Sequence, residues 1–215
     1  MESPLCAPTD PDFRLIETLA FRPGQGFVRR DRHLARMARS AKAFGFPFDD
    51  ALAAEQLDAV AGVSPLRCRL TLGAEGQLEV TTGALADNPP VWRVEVAQTR
   101  LTADDIWLRH KTTQRALYDA ARASLPDGID EVLFLNERDE LCEGTITNLF
   151  LHMPDGRHLT PALTSGVLPG ILREELLDNK QVAEATLTLT DLKNASKIYM
   201  GNSLRGLIRA ELAEQ

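Results

Sequence analysis

The sequence predicts an α+β fold built as two lobes. Strand-like and helix-like stretches follow one another with no regular βαβ alternation, which argues against a doubly wound parallel sheet. The 215 residues are enough for one large domain or two small lobes with a real core. A stretch from about 98 to 110 breaks the patterning, which puts an N-terminal α+β lobe at 1–98 and a C-terminal lobe at 99–215.

Taken in order, the first nine residues are rich in proline and polar groups and read as a loose tail. "FRLIETLAF" (13–21) has the β-branched and aromatic content of a strand, and "RPGQG" turns it into a hairpin. Asp31 is placed to cap a helix in which Leu34, Met37, Ala38, Ala41 and Phe44 recur at helical spacing, with Gly45 to end it. A second helix fits 50–61, and strands fit 66–72, 77–82 and 91–98. Beyond the boundary come a helix at 112–124 and the alternating strand "DEVLFLN" (130–136). "TNLFLHM" (147–153) is a strand, "LPGILREELLD" (168–178) a helix, and "EATLTLT" and "KIYMGN" two further strands. No internal repeat or low-complexity segment interrupts this order.

Composition narrows the function classes. A net charge of −7 and the lack of a basic face argue against nucleic-acid or anionic-membrane binding. No apolar run approaches the roughly 20 residues that span a bilayer. No secretory leader pattern opens the chain, so a cytoplasmic protein is expected. Cys6, Cys68 and Cys142 are scattered and odd in number, which suits reduced thiols better than a staple or a metal site. Cys142 beside an acidic residue expects a raised pKa and makes a poor nucleophile. His110, His152 and His158 have no metal-ligand spacing, so no metal is expected.

The chain carries only five lysines against nineteen arginines, and one of them, Lys111, opens "HKTTQR". A lysine becomes a covalent catalyst through a Schiff base, which needs a neutral amine, and nothing adjacent to Lys111 demands that role by itself. Other pieces add to it. In "ELCEGTITNLF", Glu143 precedes Gly144 and small polar residues, a pattern of backbone approaching a ligand closely. "TSGVLPGILR" is a Gly/Pro-rich entry to a helix, whose free N–H groups and dipole suit an anion such as a phosphate. "GNSLRG" offers Ser203 as a donor, and Arg36 lies in the helical run "RHLARM".

Together, "IETL", "RHLARMARSAKAFGFP", "HKTTQR", "DEVLFLNERDELCEGTITNLF", "TPALTSGVLPGILR" and "GNSLRG" resemble the class IV aminotransferases, in family order from about residue 13 to 210. These are the pyridoxal-phosphate enzymes of fold type IV, and they include the D-amino-acid and branched-chain aminotransferases and 4-amino-4-deoxychorismate lyase. The resemblance implies the two-lobed fold of that group, with pyridoxal 5′-phosphate between the lobes and two copies forming a homodimer. It implies that Lys111 holds the cofactor as a Schiff base and that Glu143 pairs with the pyridine nitrogen. It also implies that Arg36, the N–H groups of Ile171 and Leu172, and Ser203 bind the phosphate.

Branched-chain relatives carry a tyrosine five residues after the lysine, whereas Ala116 stands there in this chain, with Arg115 and Tyr118 nearby. That departure, the short start and the wording of "HKTTQR…Y" and "NSLRG" lie closer to the lyase-like members, found alone or fused to an aminodeoxychorismate synthase. The leading expectation is therefore a lyase releasing pyruvate and 4-aminobenzoate in folate biosynthesis. A branched-chain or D-amino-acid aminotransferase is the alternative, and an inactive cofactor-binding or interaction protein is a third reading. Arg109, Arg115 and Arg205 are candidates for the substrate carboxylates, because arginine pairs with them bidentately. His33 is expected to pack on a helix face. Thr112 and Thr113 are expected to cap the following helix, and Trp92 and Trp107 to be core or interface residues.

Overall fold

The structure is a computed structural model and describes Asp10 and residues 12–213. The expected loose tail, with Cys6 in it, lies outside those residues. Two compact units emerge. The first comprises the described residues through Leu85 together with Lys111–Ala116, and the second Ala86–His110 with the described residues from Leu117 onward. The division expected at 98/99 falls inside a strand, Val91–Leu101. The lysine segment groups with the N-terminal unit, because its main chain pairs with the first strand.

In the first unit, β1 (Leu15–Arg22), β2 (Gly26–Phe27), β3 (Leu66–Leu72) and β4 (Leu78–Ala84) make an antiparallel sheet in the order β2-β1-β3-β4. Strand periodicity sends Leu15, Glu17 and Leu19 to one face. Helix α1 (Arg30–Phe44) covers that face with His33, Leu34, Arg36, Met37, Ser40 and Ala41. Arg29, not Asp31, is the N-cap of α1 and holds a left-handed φ of 57°, so Asp31 falls within the first turn. Gly45 ends the helix as expected, with φ 72° and the Phe46 N–H returning to Ala41 O at 2.9 Å. Helix α2 (Asp50–Asp58) is capped by Asp49, whose carboxylate accepts from the Leu52 N–H.

One edge of β1 is shared by two short partners. Strand β2 pairs with Phe21 and Arg22, while the other end takes the lysine segment. There the Ile16 N–H donates to Lys111 O at 2.8 Å, the Thr113 N–H donates to Arg14 O at 2.9 Å, and Leu15 lies opposite Thr112. The Thr113 hydroxyl accepts from the Arg14 N–H, and that of Thr112 from the Gln114 N–H. The two threonines therefore fasten the lysine segment instead of capping a helix. Helix α3 (Ala116–Ala123) begins only after the extended stretch ends.

The second unit contains β5 (Val91–Leu101), β6 (Glu131–Asn136), β7 (Leu141–Gly144), β8 (Asn148–His152), β9 (His158–Pro161), β10 (Ala183–Ala185), β11 (Lys197–Asn202) and β12 (Gly206–Leu212). Their order is β10-β9-β8-β11-β12-β5-β6-β7, and β7 also pairs with β8, so the strands from β8 round to β7 close on themselves. Every residue of β6 is buried. Leu133 and Leu135 enter one core with Trp92, Leu149, Leu151 and Met200, while Val132 and Phe134 enter another with Leu101, Leu108, Cys142 and Val167. A strand buried on both faces carries an unbroken apolar run, here residues 132–135, in place of the alternation expected for it.

Helix α4 (Ile171–Asp178) starts three residues later than the proline-glycine pattern predicts, with Gly170 extended at its N-cap. "EATLTLT" (184–190) departs further, since only Glu184 and Ala185 of it lie in a strand, β10 (Ala183–Ala185). Helix α5 (Leu189–Asn194) follows, opened by a capping box in which Thr188 and Asp191 bind each other's main chain. The Thr/Leu alternation imitates a strand, but the cap residues win locally. No described helix is long and apolar enough to cross a membrane.

Candidate active site

In the first unit the charged residues converge on Glu17, which is buried on β1. Arg36 donates from Nε to Oε1 at 2.8 Å and from Nη2 to Oε2 at 2.6 Å, and His33 Nδ1 lies 2.6 Å from Oε2. Burial alone raises the carboxyl's pKa. The Arg36 charge and the hydrogen bonds from His33 and Arg36 outweigh that and hold it down to about 2, from 4.5. Burial pushes His33 below its ordinary value, against the pull of Glu17, and the positive charges of Arg36 and Lys111 act in the same direction as burial. Lys111 is half-buried beside this group, on the segment paired with β1. Arg36, expected at a phosphate, thus presents two of its nitrogens to Glu17. His33 is more than a packed helix residue.

In the second unit Glu143 ends up buried near the end of β7, paired in register with Asn148 of β8. Tyr118 Oη donates to Oε1 at 2.8 Å. Oε2 accepts from Asn148 Nδ2 at 3.1 Å and from the Leu168 N–H at 3.0 Å. Asn148 Nδ2 also donates to Leu168 O, so the Gly/Pro-rich loop is clipped to the acid by its main chain.

Behind Glu143 lies Glu131, with no exposed surface. Its carboxylate accepts from the Thr145 N–H (3.0 Å), the Thr145 hydroxyl (2.6 Å), the Ile146 N–H (3.3 Å) and the Thr147 hydroxyl (3.0 Å). Arg122 stands 3.6 Å away. A Cβ added at Gly144 would come within 2.6 Å of Thr147 Oγ1 and 2.7 Å of Glu131 Cδ. The close approach read from "GTITN" as contact with a ligand is therefore made to Glu131 at this glycine.

Gly170 at the start of α4 carries no side-chain cap, and Ile171 and Leu172 are buried. A Cβ at Gly201 would lie 3.1 Å from the Leu172 side chain, so this glycine lets α4 sit against β11. Ser203 is buried in the following loop, which Asn202 ties to Ile146 O at 3.0 Å. Arg109 donates to the carbonyls of Leu163 and Ala103. Arg205 donates to Asn88 Oδ1 at 2.9 Å and lies over the Trp92 ring. Both guanidiniums thus have structural partners, while Arg115 is half-buried in the lysine segment. Cys68 and Cys142 are free and buried. Burial, then Glu143 and Glu140, pushes the Cys142 thiol up, so burial exceeds the acidic neighbour as the cause.

Residues 14–212 match the Amino-transferase class IV family. The chain belongs to that family. This class IV member is 29% identical over 197 residues to a Schizosaccharomyces pombe protein assigned as an aminodeoxychorismate lyase, covering 85% of this chain and 83% of that one. It is similar to a solved Mesorhizobium loti structure assigned as an amino-acid aminotransferase, with TM-score 0.89 and 45% identity, covering 94% of this chain and 100% of that one. It is also similar to 4-amino-4-deoxychorismate lyase from Pseudomonas aeruginosa, with TM-score 0.81 and 25% identity, covering 94% and 83%. The α+β fold with two sheets is that of the fold type IV enzymes. The cofactor is pyridoxal 5′-phosphate, and the enzyme is a pyridoxal-phosphate-dependent aminotransferase or lyase.

Glu17, Glu131 and Asn148 were not singled out by sequence reasoning, and Tyr118 was noted only as a polar residue near Ala116. Asn148 had a local signal, five residues after Glu143 across a tight turn. Glu17 had another, an acid within the apolar alternation of "LIETL".

Proposed function

We propose that the enzyme is a 4-amino-4-deoxychorismate lyase. The observation that carries this reading is at Ala116, which offers no hydroxyl where branched-chain aminotransferases place a tyrosine, while the nearby Tyr118 hydroxyl donates to Glu143. The similarity to two lyases over most of the chain supports it. The donor set fits the cofactor: an amine at Lys111 for its aldehyde, an oriented carboxylate at Glu143 for its ring nitrogen, and Arg36, Ser203 and the uncapped start of α4 at Ile171 and Leu172 for its phosphate.

When bound, the cofactor supplies an electron sink for the pair left by a breaking C–H bond. Lys111 takes the proton from the amine-bearing carbon of the substrate and returns one to the departing group. The neighbouring C–O bond then breaks, the released enol becomes pyruvate, and the remaining ring gains aromaticity as 4-aminobenzoate. Glu143 holds the ring nitrogen protonated, and Arg36 fixes the phosphate end. Arg109, Arg115 and Arg205 are the arginines we assign as candidates for the substrate carboxylates; Arg109 and Arg205 also donate to main-chain and asparagine partners. The reading places the enzyme in folate biosynthesis in the cytoplasm, as a homodimer, with an aminodeoxychorismate synthase as its partner and no role for nucleic acid or membrane.

An amino-acid aminotransferase is the second reading, favoured by the 45% identity to the Mesorhizobium loti protein. One assay separates them. Aminodeoxychorismate is expected to yield 4-aminobenzoate and pyruvate, whereas ready amino transfer to a 2-oxo acid without 4-aminobenzoate would overturn the lyase. Lys111→Ala is expected to be colourless with the cofactor and to lose turnover by about a thousandfold or more.

A further inference from the structure

Glu143 is oriented from three directions, and one of its donors comes from the helix that follows the lysine segment. Tyr118 lies seven residues after Lys111, in the first turn of α3. Its ring meets Phe134 of β6 edge-on, with centroids 5.4 Å apart and planes at 88°, and Phe134 is buried. That packing aims the hydroxyl at Glu143 Oε1, 2.8 Å away. Asn148 and the Leu168 N–H act on the other oxygen, and Asn148 also fastens the Leu168 loop. Tyr118 is thus a side-chain donor to Oε1.

We propose that Tyr118 is a positioning residue for the cofactor's ring nitrogen, acting through Glu143; this rests on the reading that Glu143 partners that nitrogen. A hydrogen bond donated to a carboxylate favours its charged form and makes it a weaker base. The Tyr118 hydroxyl therefore keeps Glu143 ionised, so that a proton shared between the acid and the ring stays on the ring. Loss of the hydroxyl makes the carboxylate the stronger competitor for that proton. The electron sink weakens, while the amine, the phosphate ligands and the fold stay as they are.

The test loads wild type and Tyr118→Phe with pyridoxal phosphate carrying nitrogen-15 in its ring. The expected result is that Tyr118→Phe retains the cofactor, its ring-nitrogen resonance moves toward that of a neutral pyridine, and kcat falls about tenfold with KM nearly unchanged. An unmoved resonance with unchanged kcat in a cofactor-loaded variant overturns the proposal. If the variant does not fold, the chain's composition provides another route, because Tyr199 is the other of its two tyrosines. 3-Fluorotyrosine incorporated into a Tyr199→Phe background strengthens the donor at about pH 6, where the phenol stays protonated. The resonance is then expected to move further toward the pyridinium position, and no movement overturns the proposal. Wild type that takes up no cofactor would overturn the functional reading itself, and this proposal with it.

Discussion

The two buried acids Glu17 and Glu143 are gripped by different sets of donors. Glu17 is gripped by a guanidinium across both oxygens and by an imidazole, so its charge is matched within hydrogen-bond distance. Glu143 is met by a phenol, an amide and a main-chain N–H. A cationic partner brings its own charge to the carboxylate it fixes, whereas a neutral donor orients a carboxylate without bringing one. The first arrangement suits a fastening. The second orients the acid that we propose for the cofactor's ring nitrogen.

The strongest way to break this contrast is to remove the cation from Glu17. Arg36→Leu strands a buried carboxylate, and a loss of about 3–5 kcal/mol is expected in urea unfolding. Adding Glu17→Leu to that variant is expected to restore much of it, because both charges are then gone. A double variant no better than the single one would mean that the pair matters by its shape.

Next in size is Glu131, whose donors are mostly neutral like those of Glu143 but whose role is architectural. Glu131→Ala leaves the Thr145 and Thr147 donors buried without their acceptor. A loss of about 2–3 kcal/mol is expected, which for a chain of this length lowers Tm by roughly 2–4 °C per kcal/mol. An equal fall in Tm for Gly144→Ala would tie both effects to the same turn.

The contrast also shows in the pH dependence. Glu17 titrates lower folded than unfolded, so its contribution is present above 4.5 and is lost as pH falls toward about 2. His33 is also lowered, so protonation of the unfolded chain below 6.5 removes stability in the same direction. Stability is thus expected to fall with acid in two stages. Glu17→Gln should flatten the lower stage in thermal melts across that range, and an unchanged slope would show that other carboxyls carry it.

The family and its cofactor were legible in the sequence because the residues proposed to carry the chemistry sit in ordered local motifs. Lys111, Glu143, Arg36 and the entry to α4 each stand in a short stretch of distinctive wording. The settings of those residues were harder to read, because they are made by distant segments. Lys111 is fixed by pairing with Leu15 and Ile16, and Glu131 shapes a turn more than ten residues further along. Tyr118 reads only as a polar residue near Ala116 until its hydroxyl is found on Glu143. The strand expected over "EATLTLT" was cut short for a local reason, since the Thr188–Asp191 cap opens a helix just after Leu187 and Thr188 pair with Leu141 and Glu140.

The pairing of the lysine segment with β1 makes the first unit discontinuous along the chain. As the polypeptide emerges from synthesis, the strand edge at Arg14 and Ile16 stays open until residue 113 is available to cover it. A fragment cut after Leu85 would carry that open edge permanently, with main-chain donors and acceptors ready to recruit another chain. Such a fragment is therefore expected to associate with itself. Supplying Lys111–Ala116 as a separate peptide is the complement that should keep it apart.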